Sequence, residues 1–576
     1  MKNNLIKSSM ALLCLFIGMS GFCQQKIPNA ENYIINDSVM IKTTYGITLS
    51  AVVVRKKGAQ EKLPTALFYF IYSNTYRSLM DAKVAADHGY IGIVADARGK
   101  RLSKDTPAPY EHEVKDVNAV IDWIIAQPWS DGRVGMYGGS YSGFAQWAAT
   151  KYLHPALKTI VPYVAAIPGQ GLPMENNVFI TANYQWPFYV TNNKYTDNVV
   201  NNDNARWRKM RGAWWDSGAA YNKIDSVDGT PNPWLQKWLS HPSYDSYWQN
   251  MVPVGNDFKK INIPVLSITG YYDDGQVSAI EYVREHYKYN PNAEHYLIIG
   301  PYDHFGAQLG GVPELRGYKV DSNALIDTKE ITFQWFDFVF KGGKKPALLK
   351  DKINFEVMGA SKWKHIASLD KMEKNKIRFY LDSTIGLSPR KPTKVEFATQ
   401  VVDLQSRNTY YNEYYPDPII KKEIGKENGV FYWTKPFKKS VSVSGALAGE
   451  LKAIINKKDI DVGLVLYEVT PQGEYFQLSY YLGRASYAKD RTKRQLLVPG
   501  KVETIPFYRS RYFSKQIKEG SRLLLVLNID KNPFAQINYG TGKDVSFETQ
   551  KDAGTPLMIK WLNTSFIELG ISDLDF

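Results

Sequence analysis

Apolar residues are nearly continuous from Thr65 to Tyr72 and again from Ile91 to Ala95, the pattern of strands buried on both faces of a parallel sheet. Before them, Val39 to Thr44 and Thr48 to Arg55 predict two strands joined through Tyr45-Gly46, an opening hairpin. Val114, Val117, Val120, Ile121, Ile124 and Ile125 then recur at helical spacing. Arg133 to Met136 reads as a further strand, followed by Gly138-Gly139-Ser140-Tyr141-Ser142-Gly143 and a helix with Phe144, Trp147 and Ala148 on its apolar side. Such alternation of strand and helix indicates an α/β sheet.

The alternation stops at 166–254, where seven of the 14 tryptophans lie: Trp186, Trp207, Trp214, Trp215, Trp234, Trp238 and Trp248. This stretch is read as an inserted helical cap, with most of its aromatics packed in a core and some lining a cleft. Strand patterns resume at Pro264 to Gly270 and Tyr296 to Gly300, separated by a helix with Ile280, Val283 and Tyr287 on one face. A last helix, Thr328 to Phe340, carries Ile331, Trp335, Phe338 and Val339 at helical spacing.

Beyond the Lys341–Pro346 linker the text changes class. Ile353 to Val357, Ile377 to Leu381, Val462 to Val469 and Leu523 to Leu527 are strand-like and lie among turn signals such as Pro471-Gln472-Gly473 and Pro499-Gly500. Many strands without helices predict a β-sandwich of jelly-roll type. The expected organisation is therefore an α/β domain in two parts, 24–165 and 255–345, with a cap at 166–254 and a β-sandwich at 346–576. At 576 residues the chain exceeds what one core organises.

Residues 1–23 read as a secretory signal, with Lys2 and Lys7, an apolar middle from Ala11 to Gly18, and small residues Gly21 and Cys23 before Gln24. A periplasmic or secreted protein follows. A lipoprotein anchored at Cys23 is the alternative, and the bulk of Phe22 argues against it. No later stretch has the apolar length of a membrane span. Cys14 and Cys23 are the only cysteines, so a processed chain offers no disulfide, thiolate nucleophile or cysteine metal ligand. The formal charge is +14. Its lysines are spread along the chain rather than gathered on one face, so nucleic acid is not an expected partner.

The Gly-rich turn at Ser140 has the form of a nucleophile elbow, in which a serine sits on a sharp strand-to-helix turn. Ser142 occupies the place of the usual second glycine, and Gly143 follows it. A serine hydroxyl needs a base, and the base a third group to fix its tautomer. In the α/β-hydrolase order the acid precedes the histidine, each after a strand. Of eight histidines only His304, in Gly300-Pro301-Tyr302-Asp303-His304, lies just beyond a buried-looking strand. Gly270-Tyr271-Tyr272-Asp273-Asp274-Gly275 supplies the carboxylate, and spacing leaves Asp273 and Asp274 equally placed.

Rival chemistries fit less well. His112-Glu113-Val114-Lys115-Asp116 begins like the zinc motif H-E-x-x-H but ends in aspartate. Gly540-Thr541-Gly542-Lys543-Asp544 lacks the first glycine spacing and the Ser/Thr of a phosphate loop. Adjacent carboxylates such as Asp273 and Asp274 seldom flank one glycosidic bond. A non-catalytic surface binder with a degenerate hydrolase domain is opposed by the complete set of Ser140, His304 and a carboxylate at Asp273 or Asp274.

These motifs resemble those of an acyl hydrolase family that includes cocaine esterase, α-amino acid ester hydrolases, glutaryl cephalosporin acylases and X-Pro dipeptidyl-peptidases. The family elbow, G-x-S-Y-x-G, fits Gly138 to Gly143 and accounts for the displaced glycine. Its Gly-Trp-Tyr-Asp resembles Gly270 to Asp273, and its Gly-Pro-Trp-x-His resembles Gly300 to His304, with Tyr271 and Tyr302 for tryptophan. Asp96-Ala97-Arg98-Gly99, Gln127 to Met136, His241 to Trp248 and Asp459-Ile460-Asp461-Val462 are similar as well.

The resemblance implies a serine hydrolase working through an acyl-enzyme. Ser140 would be its nucleophile, His304 its general base and Asp273 the acid that orients His304. It also implies an oxyanion hole from the Tyr141 backbone N–H and the Tyr72 hydroxyl, with Tyr69 and Tyr76 as alternatives because Ile71 replaces the family's proline. No cofactor or metal is implied. The substrate would be a small ester, an amide or a short peptide, with ester hydrolase or acylase chemistry ranked above X-Pro dipeptidyl-peptidase chemistry. The sequence is compatible with a homo-oligomer.

Overall fold

The computed structural model describes residues 27–572 apart from 60, 409, 411–413 and 426–428. The signal assigned to 1–23 lies outside the described residues. The first six strands are β1 (Tyr33–Lys42), β2 (Thr48–Lys56), β3 (Leu63–Phe70), β4 (Ile91–Asp96), β5 (Ser130–Gly139) and β6 (Leu157–Tyr163). They stand in the order β1-β2-β4-β3-β5-β6, continued by Val265–Gly270, His295–Gly300, Ile353–Val357 and Lys362–Ile366. The strands from β4 through Ile353–Val357 run parallel to their neighbours. The β1–β2 hairpin and Lys362–Ile366 pair antiparallel at the two edges. Every residue of β4 is buried, as its unbroken apolar run requires when helices cover both faces. This is an α/β-hydrolase sheet.

Helices α1 (Thr75–Asp87), α2 (Glu113–Ile125) and α3 (Tyr141–Thr150) follow β3, β4 and β5. Asn74 caps α1 by accepting the Arg77 N–H at 3.0 Å. The ten residues of α3 are all buried, so this helix runs through the core with β5 leading into it.

The strand Ile353–Val357, read from the sequence as a β-sandwich strand, stands in the α/β sheet. It pairs with His295–Gly300 through Leu297–Ile353 and Ile299–Phe355, so the α/β sheet reaches Ile366 before the sandwich begins. Its alternating Ile-Asn-Phe-Glu-Val text suggests one wet face, yet all five residues are buried. Asn354 fits there because its amide donates to the Leu297 and Asp351 carbonyls at 3.2 and 2.7 Å, which satisfies a buried polar group.

The inserted stretch opens with short strands before its helices, including a Met174–Glu175 and Val178–Phe179 hairpin whose turn residues Asn176 and Asn177 have φ of 42° and 66°. Its first helix is α4 (Trp186–Thr191). Trp207, Trp214, Trp215, Trp238 and Trp248 are buried as core, while Trp186 and Trp234 are half-buried. The C-terminal domain stacks an eight-stranded and a five-stranded antiparallel sheet, the first built around the long strand Val441–Ile455. Among the described residues no helix is long and apolar enough to cross a membrane.

The sandwich braces the loop after Val265–Gly270. Gln276 exchanges two hydrogen bonds with the Tyr512 backbone, at 2.9 and 2.6 Å. Arg511 donates to the Asp274 carbonyl at 2.9 Å while paired with Glu175. Tyr272 donates its hydroxyl to the Gln477 carbonyl at 3.1 Å.

Candidate active site

Ser140 stands between β5 and α3 with φ 60° and ψ −118°. A side-chain-bearing residue held at positive φ costs about 1–3 kcal/mol, and two backbone bonds hold it there. The Ser140 N–H donates to the Tyr163 carbonyl at 3.0 Å, and the Ser140 carbonyl accepts the Phe144 N–H at 2.9 Å. The displaced glycine has a packing reason: a Cβ on Gly143 would lie 2.8 Å from the Tyr163 carbonyl oxygen, where α3 crosses the end of β6. Ser142 is buried beside it.

Asp273 and His304 meet at the ends of adjacent parallel strands. The His304 Nδ1–H donates to Asp273 Oδ1 at 2.8 Å. The same oxygen accepts the Gly275 N–H at 3.0 Å, and Oδ2 accepts the Thr269 hydroxyl at 2.8 Å. Asp274 is exposed, and its carbonyl accepts from Arg511. The choice that spacing left open thus falls to Asp273 as the partner of His304. Burial alone lowers the basicity of His304, but the hydrogen bond and charge of Asp273, reinforced by Asp274 and Asp303, outweigh it and push the imidazolium up to about 9.

Asp273, Asp274 and His304 also bring three ligand atoms within 4.8 Å of one another. Both oxygens of Asp273 are occupied by hydrogen-bond donors, so this trio is a hydrogen-bonded pair with a carboxylate beside it.

Tyr72, two residues beyond β3, lies next to the elbow. Burial raises its pKa, while hydrogen bonding from Trp186 and Ser140 pulls it down. The indole N–H of Trp186 donates to the Tyr72 oxygen at 2.9 Å, so the phenol's own proton points elsewhere. Tyr69 is fully buried, with its hydroxyl among Asp116, Glu113 and Tyr45, and Tyr76 lies in the first turn of α1. Tyr72 is therefore the tyrosine beside Ser140. Among the described residues no direct hydrogen bond joins Ser140 to His304; such bonds are often long without substrate and tighten when it binds.

Two contributors escaped sequence reasoning. Gln308 donates to the His304 carbonyl at 2.9 Å, and its amide oxygen lies 2.2 Å from where a Cβ of Gly139 would stand. The histidine loop is thus packed directly against the elbow, and only glycine at 139 allows it. Trp186 reaches the site from α4, and its place among the cap tryptophans hid it from a reading of spacing.

A family model described as X-Pro dipeptidyl-peptidase (S15 family) matches residues 45–306. A second, described as the X-Pro dipeptidyl-peptidase C-terminal non-catalytic domain, matches residues 350–558. The chain is 22% identical over 564 residues to cocaine esterase of Rhodococcus sp. (strain MB1 Bresler), covering 91% of this chain and 96% of that protein. Among solved structures, an aminopeptidase from a marine sediment Thaumarchaeota archaeon superposes with a TM-score of 0.76 at 20% identity, covering 96% of this chain and 99% of the other. An α-amino acid ester hydrolase gives a TM-score of 0.76 at 19% identity with the same coverages.

Proposed function

Because the chain belongs to the cocaine esterase and X-Pro dipeptidyl-peptidase-type family of serine hydrolases, we propose that Ser140, His304 and Asp273 are its catalytic triad. The observation that carries this reading is the Asp273–His304 hydrogen bond on a loop that Gln308 presses against the strained Ser140 turn. Ser140 attacks the substrate carbonyl while His304 takes its proton at Nε2. The imidazolium, held by Asp273, returns that proton to the leaving group, and His304 then activates water to release the acid. The Tyr141 N–H and the Tyr72 hydroxyl receive the charge that develops on the carbonyl oxygen. Tyr72→Phe is expected to lower turnover of a p-nitrophenyl ester by about 10²- to 10³-fold with KM little changed. An unaltered rate would remove Tyr72 from the oxyanion hole.

The substrate is a small ester, an amide or a short peptide, with an α-amino acid ester or acyl group ranked first. Asp274 leaves an exposed carboxylate beside His304, suited to a substrate amino group, and Trp186, Tyr72 and Tyr189 supply aromatic surface nearby. X-Pro dipeptides also carry an amino group, so they are the second reading. The leader at 1–23 supports export.

A fluorophosphonate probe is expected to label the protein and to fail on Ser140→Ala; labelling that survives this substitution would overturn the assignment of Ser140. Hydrolysis of p-nitrophenyl esters, amino acid methyl esters, a glutaryl amide and an Ala-Pro anilide then ranks the substrates. Activity confined to the anilide would favour the dipeptidyl-peptidase reading.

A further inference from the structure

The segment His112-Glu113-Val114-Lys115-Asp116, which stops short of a zinc motif, opens α2 beneath the elbow. Its two acids face different partners. Asp116 accepts both arms of Arg98, at 2.9 and 2.6 Å, and the Tyr45 hydroxyl at 2.7 Å. Glu113 is 2% exposed and accepts the Tyr141 hydroxyl in a short hydrogen bond. Tyr141 is the first residue of α3, the one that follows Ser140.

The contacts continue to the other side of the site. The Tyr110 N–H donates to the Tyr141 hydroxyl oxygen at 3.4 Å, and the Tyr110 ring lies 5.2 Å from the Tyr141 ring. Tyr110 stacks on Trp186 at 5.1 Å and 19°, and Trp186 donates to Tyr72. Both groups assigned to the oxyanion hole, the Tyr141 N–H and the Tyr72 hydroxyl, therefore belong to one packed chain of side chains that ends on Glu113.

We propose that Glu113 is a positioning residue for the oxyanion hole: by holding the Tyr141 hydroxyl it fixes the first turn of α3 and so aims the Tyr141 N–H at the carbonyl oxygen. The proposal rests on the Ser140 reading above. Tyr141 is held at both ends, by its backbone in α3 and by its hydroxyl on α2, and a donor aimed from a loose turn loses most of its effect on the transition state. Burial of Glu113 raises its carboxyl to about 7; the Tyr141 bond counteracts this and the charge of Asp116 adds to it. An isolated carboxylate is costly to bury, and Glu113 is compensated there by the Tyr141 hydroxyl on one oxygen and the His112 N–H on the other, at 3.2 Å.

Tyr141→Phe removes the hydroxyl alone, Glu113→Leu removes the acceptor, and Glu113→Gln keeps an acceptor oxygen. With a p-nitrophenyl ester, Tyr141→Phe and Glu113→Leu are each expected to lower kcat by about 10- to 100-fold while KM stays within about twofold. The double variant is expected to be no slower than the worse single variant, and Glu113→Gln to recover most of the lost kcat. A wild-type kcat in Tyr141→Phe would overturn the proposal, as would losses that appear only in KM or that multiply in the double variant. Ser140→Ala is measured alongside. If it stays active, the triad reading itself fails; if it is inactive while Tyr141→Phe is normal, only the role of Glu113 falls.

Discussion

Ser140→Ala is expected to lower kcat by about 10⁶-fold on any ester the protein cleaves, with KM close to that of the wild type. The substitution suits the geometry because alanine keeps the Cβ. The backbone at φ 60° and its bonds to Tyr163 and Phe144 are left as they are, and only the nucleophilic oxygen disappears. Residual hydrolysis should come from water attacking a carbonyl still polarised by the Tyr141 N–H and the Tyr72 hydroxyl, which accounts for the 10³- to 10⁴-fold advantage over solution that remains in enzymes lacking a triad member. Steady-state kinetics on purified protein checks this, with a burst of nitrophenol present in the wild type and absent from the variant. A loss of only about tenfold would mean that another group attacks the carbonyl.

The parts of the site that can be read from the sequence are those where two independent patterns coincide. Ser140, Asp273 and His304 each follow a run of residues buried on both faces, and each such run ends at a Gly-rich turn, so the ends of β5, Val265–Gly270 and His295–Gly300 stand out. The choice between Asp273 and Asp274 could not be made from spacing, because it depends on which carboxylate meets Thr269 and the Gly275 N–H. Helix α1 is not legible in the sequence because its buried face is built on Ser78, Leu79 and three alanines, a weak apolar stripe. Ile353–Val357 reads like a sandwich strand because Asn354 and Glu356 imitate a wet face, although it pairs into the α/β sheet. Trp186 and Glu113 act through partners distant in sequence, Tyr72 at 114 residues and Tyr141 at 28, and no periodicity carries that information.

The second large effect belongs to Asp273, and its size should depend on the replacement. Asp273→Ala is expected to lower kcat by about 10⁴-fold, since His304 loses the acceptor that keeps its proton on Nδ1 and its Nε2 free to act as a base. Asparagine in this position of a triad can be as damaging when its NH₂ turns toward the histidine and reverses the tautomer. Here the neighbours oppose that turn. The Gly275 backbone N–H shares Oδ1 with His304, whereas Oδ2 faces the Thr269 hydroxyl. A hydroxyl can rotate to accept a hydrogen bond and a backbone N–H cannot. The amide of Asp273→Asn should therefore place its oxygen at Oδ1 and its NH₂ toward Thr269, so the variant loses the charge but keeps the tautomer, and it should outperform Asp273→Ala by at least about tenfold. The pH profile separates the two effects. With the imidazolium held up to about 9, the neutral base is scarce at neutral pH, so kcat/KM of the wild type should rise about tenfold per unit up to that value and then level off. Either substitution removes the charge that supports the imidazolium, so the acid limb should shift down toward the ordinary histidine range near about 6.5 while the plateau falls. Equal plateaus for the two variants would show that the amide has turned its NH₂ to His304 in spite of Gly275. A limb that does not move would show that Asp273 is not what sets the basicity of His304.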